Sequence, residues 1–382
     1  MNIGIENLRE GMILGKDVYV GNSHVPLLTK GEELDERKIS YLSNIPDLED
    51  VYISLSKVNE TIPHDLKENA IMALKTRDTE LTIGCAKRIA STMESNNEYS
   101  YDLVKYVVEN FDLDEMTLDI CEFAVAFGKI YNEQAKLEDK INLDDLAIAA
   151  LLHNVGAYFR THMDEIDNLP LVSLSKKMFP NFTSKIFDIK KKSEYSVLNE
   201  PVYAYSLLRD VGNISHNSKV GILLQCETDD GKGPLGLPLS STNHPGKTIA
   251  QIICISGLYE RLLLAASKDP TRKPSDVLIG MRTAADSNKI NQDLTNLFLE
   301  KMPLYSIGIE VVLNDGTIAE VIENTKDTEF PVVKVNSRKY GINSIYDDGA
   351  ILDLVLYKEN IYITGIYSFG LEKQKDDDVI KR

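Results

Sequence analysis

The chain has 382 residues, of which 59 are Asp or Glu and 42 are Lys or Arg, so its formal net charge at pH 7 is −17. An acidic chain repels phosphate backbones and anionic lipid surfaces, which argues against a nucleic-acid polymer or a membrane surface as its main partner. Hydrophobic residues make up 43% of the sequence, which excludes wholesale disorder and predicts a sizeable folded core.

The N-terminal residues, the length of the apolar runs and the cysteines indicate the cellular compartment of the protein. The N-terminal residues MNIGIENLRE are polar and lack the basic and then apolar build of a signal peptide. No apolar run approaches the roughly 18–20 residues that a membrane span needs. The four cysteines include no CxxC pair, so we expect reduced thiols in a cytoplasmic protein without membrane insertion.

Periodicity divides the chain into five regions. Short β-branched runs around one helical segment predict a small mixed α/β unit over residues 1–58, and charged helical patterns predict a connector over 59–112. Amphipathic and apolar helices dominate residues 113–300, strand patterns dominate 301–371, and 372–382 form a charged tail. The sequence therefore predicts a mainly α fold, in which a helical bundle lies between a mixed N-terminal unit and a β-rich C-terminal unit.

Individual segments sharpen this prediction. The run LDDLAIAALLH is apolar nearly all round, which indicates a buried helix. The long loop ETDDGKGPLGLPLSSTNHPG separates two later helices, and loops of that length usually have a function. Farther on, Asn314-Asp315-Gly316 predicts a hairpin turn, and GAILDLVLY is expected to be a strand throughout.

Common catalytic motifs are absent from the sequence. The six histidines form no HxH or HExxH pair, and the phosphate-binding glycine motifs and the GxSxG elbow do not occur. We expect the histidines other than His153 at the surface or in loops.

Four strings, in order, resemble motifs of the HD-GYP family, a branch of the HD metal-dependent phosphohydrolases. AALLHNVG resembles ALLHDIGK, and NEPVYAYSLLRDV resembles HPEYGYELLKDI. ILLQCETDDGKGPLG resembles HHExxDGSGYPxG, and IAQIICISGLYERLL resembles ARIIAVADVYDAL. The end units also look like segments that flank the domain in such proteins. The resemblance implies an HD-type helical bundle related to cyclic di-GMP phosphodiesterases, which hold two or three iron or manganese ions that activate a water.

The resemblance places this chain's residues on the metal-site positions of the family. The substitution of Asp by Asn at 154 and by Gly at 257 removes carboxylates that would hold cations. The substitutions at 225 and 226 remove two imidazoles, so the resemblance implies a degenerate, hydrolytically inactive domain. The remnant metal-site positions are Cys121, His153, Asn154, Glu200, Gln225, Cys226, Glu227 and Gly257.

Two interpretations of these remnant positions stay open. Cys121, His153, Cys226 and Glu227 together offer thiolate, imidazole and carboxylate groups, which suit one tetrahedral zinc ion. Alternatively, the two cysteines are small apolar fillers of a collapsed cavity. We expect no bound cofactor, and otherwise one zinc or a residual iron or manganese site.

The resemblance also bears on phosphate binding. Lys232 and Arg272 are the cations that it brings near a ligand, whereas the lysine of the family motif falls on Ala157. The GYP tripeptide lacks its tyrosine. The degenerate loop consists of Asp230, Gly231, Gly233 and Pro234, around Lys232.

The leading hypothesis is a non-catalytic regulatory or scaffolding protein in bacterial cyclic di-GMP-type signalling, with another signalling protein as its partner. One alternative is an active phosphohydrolase with an altered ligand set. Another is a cyclic di-GMP receptor without hydrolysis, and a third is an unrelated helical protein with chance similarity. The habit of the family allows a homodimer.

Overall fold

The computed structural model describes most of the helical and β-rich regions and parts of the N-terminal unit. The described residues are 2–5, 8, 12–14, 17–20, 26–29, 32, 34–46, 48, 50–54, 62–95, 113–160, 200–268, 275–302, 304–305, 307–336, 341 and 344–367. Arg272, the predicted charged tail and the segment MESNNEYSYD beyond Ser95 lie outside them.

A small sheet and one helix form the N-terminal unit. Strands β1 (Asn2–Gly4), β2 (Ile13–Leu14) and β3 (Asp50–Ser54) pair antiparallel in the order β1-β3-β2. Helix α1 (Glu36–Ser43) begins after Asp35, whose side chain accepts a hydrogen bond from a backbone N–H of the first turn. This unit has its own buried cluster, which comprises Leu8, Met12, Leu14, Val18, Leu34, Leu42 and Val51.

The middle of the chain is helical, which confirms the predicted fold class. The helices are α2 (His64–Thr76), α3 (Thr79–Ser95), α4 (Leu113–Gln134), α5 (Leu143–Leu152), α6 (Glu200–Leu208), α7 (His216–Leu224), α8 (Gly246–Lys268), α9 (Asp276–Asp286) and α10 (Gln292–Lys301). Short 3₁₀ turns cover Leu137–Asp139, Val155–Arg160 and Leu239–Ser241. Helix α5 packs against α3, α4 and α7, and helix α8 packs against α7 and α4.

Two of these helices form the centre of the bundle. Every residue of α5 except Asp144 and Asp145 in its first turn is buried, as the apolar run predicts, and Asn142 caps its start by accepting from the backbone N–H of Asp145. Within the described residues, α8 is the one helix whose length and composition would let it cross a membrane, over Gly246–Ala266, and 61% of that stretch is buried. Sequence alone did not single it out, and its packing against α7 and α4 accounts for its apolar composition.

The C-terminal unit is an antiparallel sheet with one short helix. Its elements are β4 (Glu310–Leu313), β5 (Ile318–Glu323), β6 (Val332–Val335), β7 (Ile351–Asp353), α11 (Leu354–Tyr357) and β8 (Ile363–Ile366). The strands pair in the order β7-β6-β5-β4-β8. The predicted hairpin turn joins β4 to β5, and Gly316 in it adopts a φ of 85°, a left-handed conformation that favours glycine. The prediction of a strand throughout GAILDLVLY is wrong, because the Asp353 side chain accepts from the backbone N–H of Val355 and starts helix α11.

One buried cluster joins the helices to the C-terminal sheet. It runs from Ile62, just before α2, to Ile363 in β8, and includes Phe127, Tyr259 and Phe298. The three rings stack edge to face with centroid separations of 5.0 Å. The boundaries of the five predicted regions remain predictions.

Candidate functional site

The ends of α5 and α7 bring most of the remnant positions into one neighbourhood. His153 and Asn154 directly follow α5, and the run from Gln225 to Glu227 directly follows α7. The two helices pack against each other, and α7 also contacts α6 and α8. The Gln225 side-chain amide donates to the His153 carbonyl oxygen over 2.8 Å, so the two helix ends are tied together directly.

His153 is a buried, neutral imidazole. Burial is the main cause that lowers the pKa of its ring to about 4, and the nearby positive charge of Arg261 lowers it further. Its Nδ1 lies 2.6 Å from the Ala150 carbonyl oxygen. Because a carbonyl oxygen only accepts, Nδ1 carries the proton and Nε2 keeps its lone pair.

Asn154 links the end of α5 to the start of α4. Its Nδ2 donates to Thr117 Oγ1 over 2.9 Å, and the Thr117 hydroxyl donates to the Leu113 carbonyl oxygen over 2.7 Å. Since the threonine proton is used within its own helix, the oxygen can only accept from Asn154, which fixes the orientation of the amide. The amide nitrogen therefore serves a contact between two helices.

The cysteines at the remnant positions are protonated thiols. Cys121 is fully buried in α4, and its Sγ donates to the Ala147 carbonyl oxygen over 3.7 Å. Burial raises the pKa of this thiol well above its ordinary value. Burial, with the neighbouring Cys254, raises the pKa of Cys226 to about 12. Neither thiol is ionised at neutral pH, and the interpretation of the two cysteines as fillers stays a prediction.

Glu227 is buried, and its carboxylate holds the long loop against the end of α7. Its Oε1 accepts from the backbone N–H of Leu235 over 2.6 Å, and its Oε2 accepts from that of Leu237 over 2.8 Å. Gly233 passes so close that a Cβ there would lie 2.6 Å from the Glu227 Cα. Both carboxylate oxygens are therefore used in folding the loop back onto the helix.

Arg261 is the functional candidate that sequence reasoning missed. A Cβ added to Gly257 would lie 3.4 Å from Arg261 Nη1, so the guanidinium lies beside the place of the aspartate that the resemblance implies. Burial raises the pKa values of Cys226 and Cys254, and the positive charge of Arg261 partly opposes that rise, whereas it adds to the lowering of the pKa of His153 by burial. The spacing of four residues between Gly257 and Arg261 on α8 is the signal that could have found it, since such residues share a helix face.

The degenerate loop is tied to itself. Lys232 Nζ forms an ion pair with Asp230 Oδ2 over 2.7 Å, and the Lys232 backbone N–H donates to Thr228 Oγ1 over 2.9 Å. The hydrogen bond from Lys232 is the main cause that lowers the pKa of Asp230 to about 2. Gly231 makes the turn with a φ of 70°, and Pro234 is half-buried.

Glu200, the first residue of α6, is also buried at the remnant site. Its negative charge is among the causes that raise the pKa of Cys226. Among the described ranges, no group of three or more His, Cys, Asp or Glu could hold a metal ion. Cys121, His153 and Glu227 bond three different backbone segments, and the zinc interpretation of these positions stays a prediction.

Two other histidines meet in space. His216 at the start of α7 and His244 just before α8 stack edge to face, with ring centroids 5.0 Å apart. The Gly246 backbone N–H donates to His244 Nδ1 over 3.0 Å, so Nδ1 carries no proton. Their distance in sequence hid this contact, and the tautomer leaves His244 without a free lone pair for a metal.

Comparisons with known proteins give one distant likeness. No protein-family model matches the chain, and no curated protein matches it either. A solved structure described as Bd1817, a HDG"Y"P protein from Bdellovibrio bacteriovorus, is similar over 78% of this chain and 97% of that one, with 14% sequence identity and a TM-score of 0.39.

Proposed function

We propose that this chain is a non-catalytic relative of the HD-GYP phosphodiesterases that acts as a regulatory or scaffolding protein in the cytoplasm. One observation carries the proposal. The polar side chains at the remnant metal positions are already used in bonds that hold helix ends and a loop together. Asn154 binds Thr117, Gln225 binds a backbone carbonyl, and Glu227 accepts two backbone N–H groups.

The charge of the site supports the same conclusion. Asn154 and Gly257 bring no negative charge where paired cations would need carboxylates. The exposed Arg261 adds a positive charge beside Gly257, and a cation there repels divalent ions. The remnant site is therefore poorly suited to a metal pair and to the water that such a pair would activate.

The degenerate loop favours a protein partner over a nucleotide. Cyclic di-GMP carries two phosphate charges, which proteins usually bind with several cations. Lys232 is already paired with Asp230, and Ala157 offers no charge at the place of the lysine of the family motif. We therefore expect another signalling protein as the partner.

The decisive experiment is a turnover assay with the purified 382-residue chain, cyclic di-GMP and added Fe²⁺ or Mn²⁺. We expect no linear or mononucleotide product, while an active phosphodiesterase added to the same mixture shows that the assay works. Hydrolysis that the His153→Ala variant abolishes would contradict the proposal, because it would assign the activity to the remnant site.

A calorimetric titration with cyclic di-GMP separates a scaffold from a receptor. We expect no saturable heat. Saturable binding at one ligand per chain, weakened in the Lys232→Ala variant, would replace the scaffold by the receptor alternative. Unchanged binding in that variant would place the nucleotide away from the degenerate loop.

A further inference from the structure

A cavity of about 600 Å³ lies between the ends of five helices, and its wall includes the hydrogen-bonded pair Thr117 and Asn154. It is formed by the end of α2, the starts of α3 and α4, the end of α5 with the turn after it, and the end of α6. Its volume is within the range of pockets that hold small organic ligands, roughly 300–1,000 Å³. Most of its lining side chains are aliphatic: Leu74, Leu113, Leu151, Leu152, Val155 and Leu208 among them.

Aliphatic and polar side chains share the wall of the cavity in comparable measure. The aliphatic part favours an apolar body in a ligand, because burial of apolar surface gains free energy. Leu207 lies at the rim, since it lines the cavity and is 43% exposed. The cavity therefore has an opening, and its interior is partly apolar and partly polar.

The uncharged polar side chains on the wall are Thr79, Thr82, Thr117 and Asn154. The hydroxyls of Thr82 and Thr117 donate to carbonyl oxygens of their own helices, over 2.8 Å and 2.7 Å. The Thr117 oxygen in turn accepts from Asn154 Nδ2, which turns the amide so that Oδ1 is its other polar atom. Among the described residues, no hydrogen bond to Asn154 Oδ1 is formed, so this carbonyl oxygen is an acceptor that a ligand can use.

The charged groups at the cavity do not select an anion or a cation. Arg77, which ends α2, and Asp114, in the first turn of α4, both line the cavity and have opposite charges. Each already has an interaction elsewhere in the chain. A neutral ligand therefore suits the site better than an ion.

We propose that this cavity binds a neutral small molecule with an apolar body and one hydroxyl group, which donates a hydrogen bond to Asn154 Oδ1. The inference goes beyond the proposed function and does not depend on it. Such a site would let a small ligand regulate the protein, whether or not the chain is catalytic.

The test uses two probes that differ only in the donor: 1-naphthol and 1-methoxynaphthalene, titrated into the full chain by calorimetry. We expect saturable binding of 1-naphthol at one per chain. We also expect affinity about fivefold weaker for 1-methoxynaphthalene, since one net hydrogen bond is worth about 1 kcal/mol. No saturable binding of either probe would overturn the proposal, and equal affinities would overturn the assignment of the donor.

Matched variants locate the binding. Leu207→Trp places a large ring at the rim from a partly exposed position and is expected to abolish binding of both probes while the helical circular dichroism is unchanged. Leu137→Trp is the control, since Leu137 is 84% exposed on a 3₁₀ turn outside the cavity, and it is expected to leave both affinities unchanged. Binding that persists in Leu207→Trp would overturn the proposal. Neither variant touches the metal or cyclic di-GMP assays, so the two proposals fail separately.

Discussion

Glu227 provides the sharpest test of whether the remnant positions now serve the fold. In the Glu227→Gln variant, one of the two carboxylate oxygens becomes an NH₂ group that faces a backbone N–H. One of the two bonds, to Leu235 at 2.6 Å or to Leu237 at 2.8 Å, is then lost and a buried donor is left unpaired. A hydrogen bond to a charged acceptor contributes about 1.5–3 kcal/mol, so we expect the free energy of unfolding to fall by about 2–3 kcal/mol.

Urea titration followed by far-UV circular dichroism measures this change. The control is Glu133→Gln, an exposed carboxylate on α4, whose substitution we expect to stay within about 0.5 kcal/mol of the unmodified chain. If the two variants unfold with the same free energy, the carboxylate of Glu227 does not hold the loop, and the structural explanation of its retention is wrong.

Three further predictions concern the same region. The depressed pKa of His153, about 4, means that the unfolded chain takes up a proton first as pH falls below the ordinary value of about 6.5. The contribution of His153 to the free energy of unfolding is therefore full above that value, and this free energy falls by about 2 kcal/mol between pH 7 and about pH 5. We expect the His153→Gln variant to lose this pH dependence, and urea titrations at both pH values measure it. Gly233→Ala is expected to cost about 1–3 kcal/mol, because its Cβ would contact the end of α7, whereas Gly365→Ala, with open space around its Cβ, serves as a control in thermal unfolding. Gly257→Asp is expected to place its carboxylate against Arg261 and to bind no Mn²⁺ in a calorimetric titration. Stoichiometric Mn²⁺ binding by that variant would show that the guanidinium does not occupy the position.

Local patterns in the sequence were enough to predict much of the fold. The apolar run of α5 and the Asn314-Asp315-Gly316 turn depend on residues close in sequence, and the structure confirms both. The strand predicted through GAILDLVLY failed at one residue. Asp353 can cap a helix as well as occupy a strand, and the hydrophobic residues around it fit either pattern.

The site was harder to predict, because its contacts join residues far apart in sequence. The resemblance identified His153 and Gln225 as positions, yet only the packing of α5 against α7 reveals that the Gln225 side chain bonds the His153 carbonyl oxygen. Arg261 was missed because the resemblance assigns no function to its position in the fourth string, and its effect depends on the space that a glycine leaves open. The cavity next to Asn154 is formed by the ends of five helices, an arrangement that no periodicity encodes.

The content of bound metal tests the central claim most directly. The 382-residue chain is incubated anaerobically with Fe²⁺ or Mn²⁺, desalted and analysed by elemental mass spectrometry, with the His153→Ala variant treated in parallel. We predict well under one ion per chain, equal in the two samples. Two ions per chain that disappear in His153→Ala would contradict the claim that the remnant site no longer holds a pair of cations.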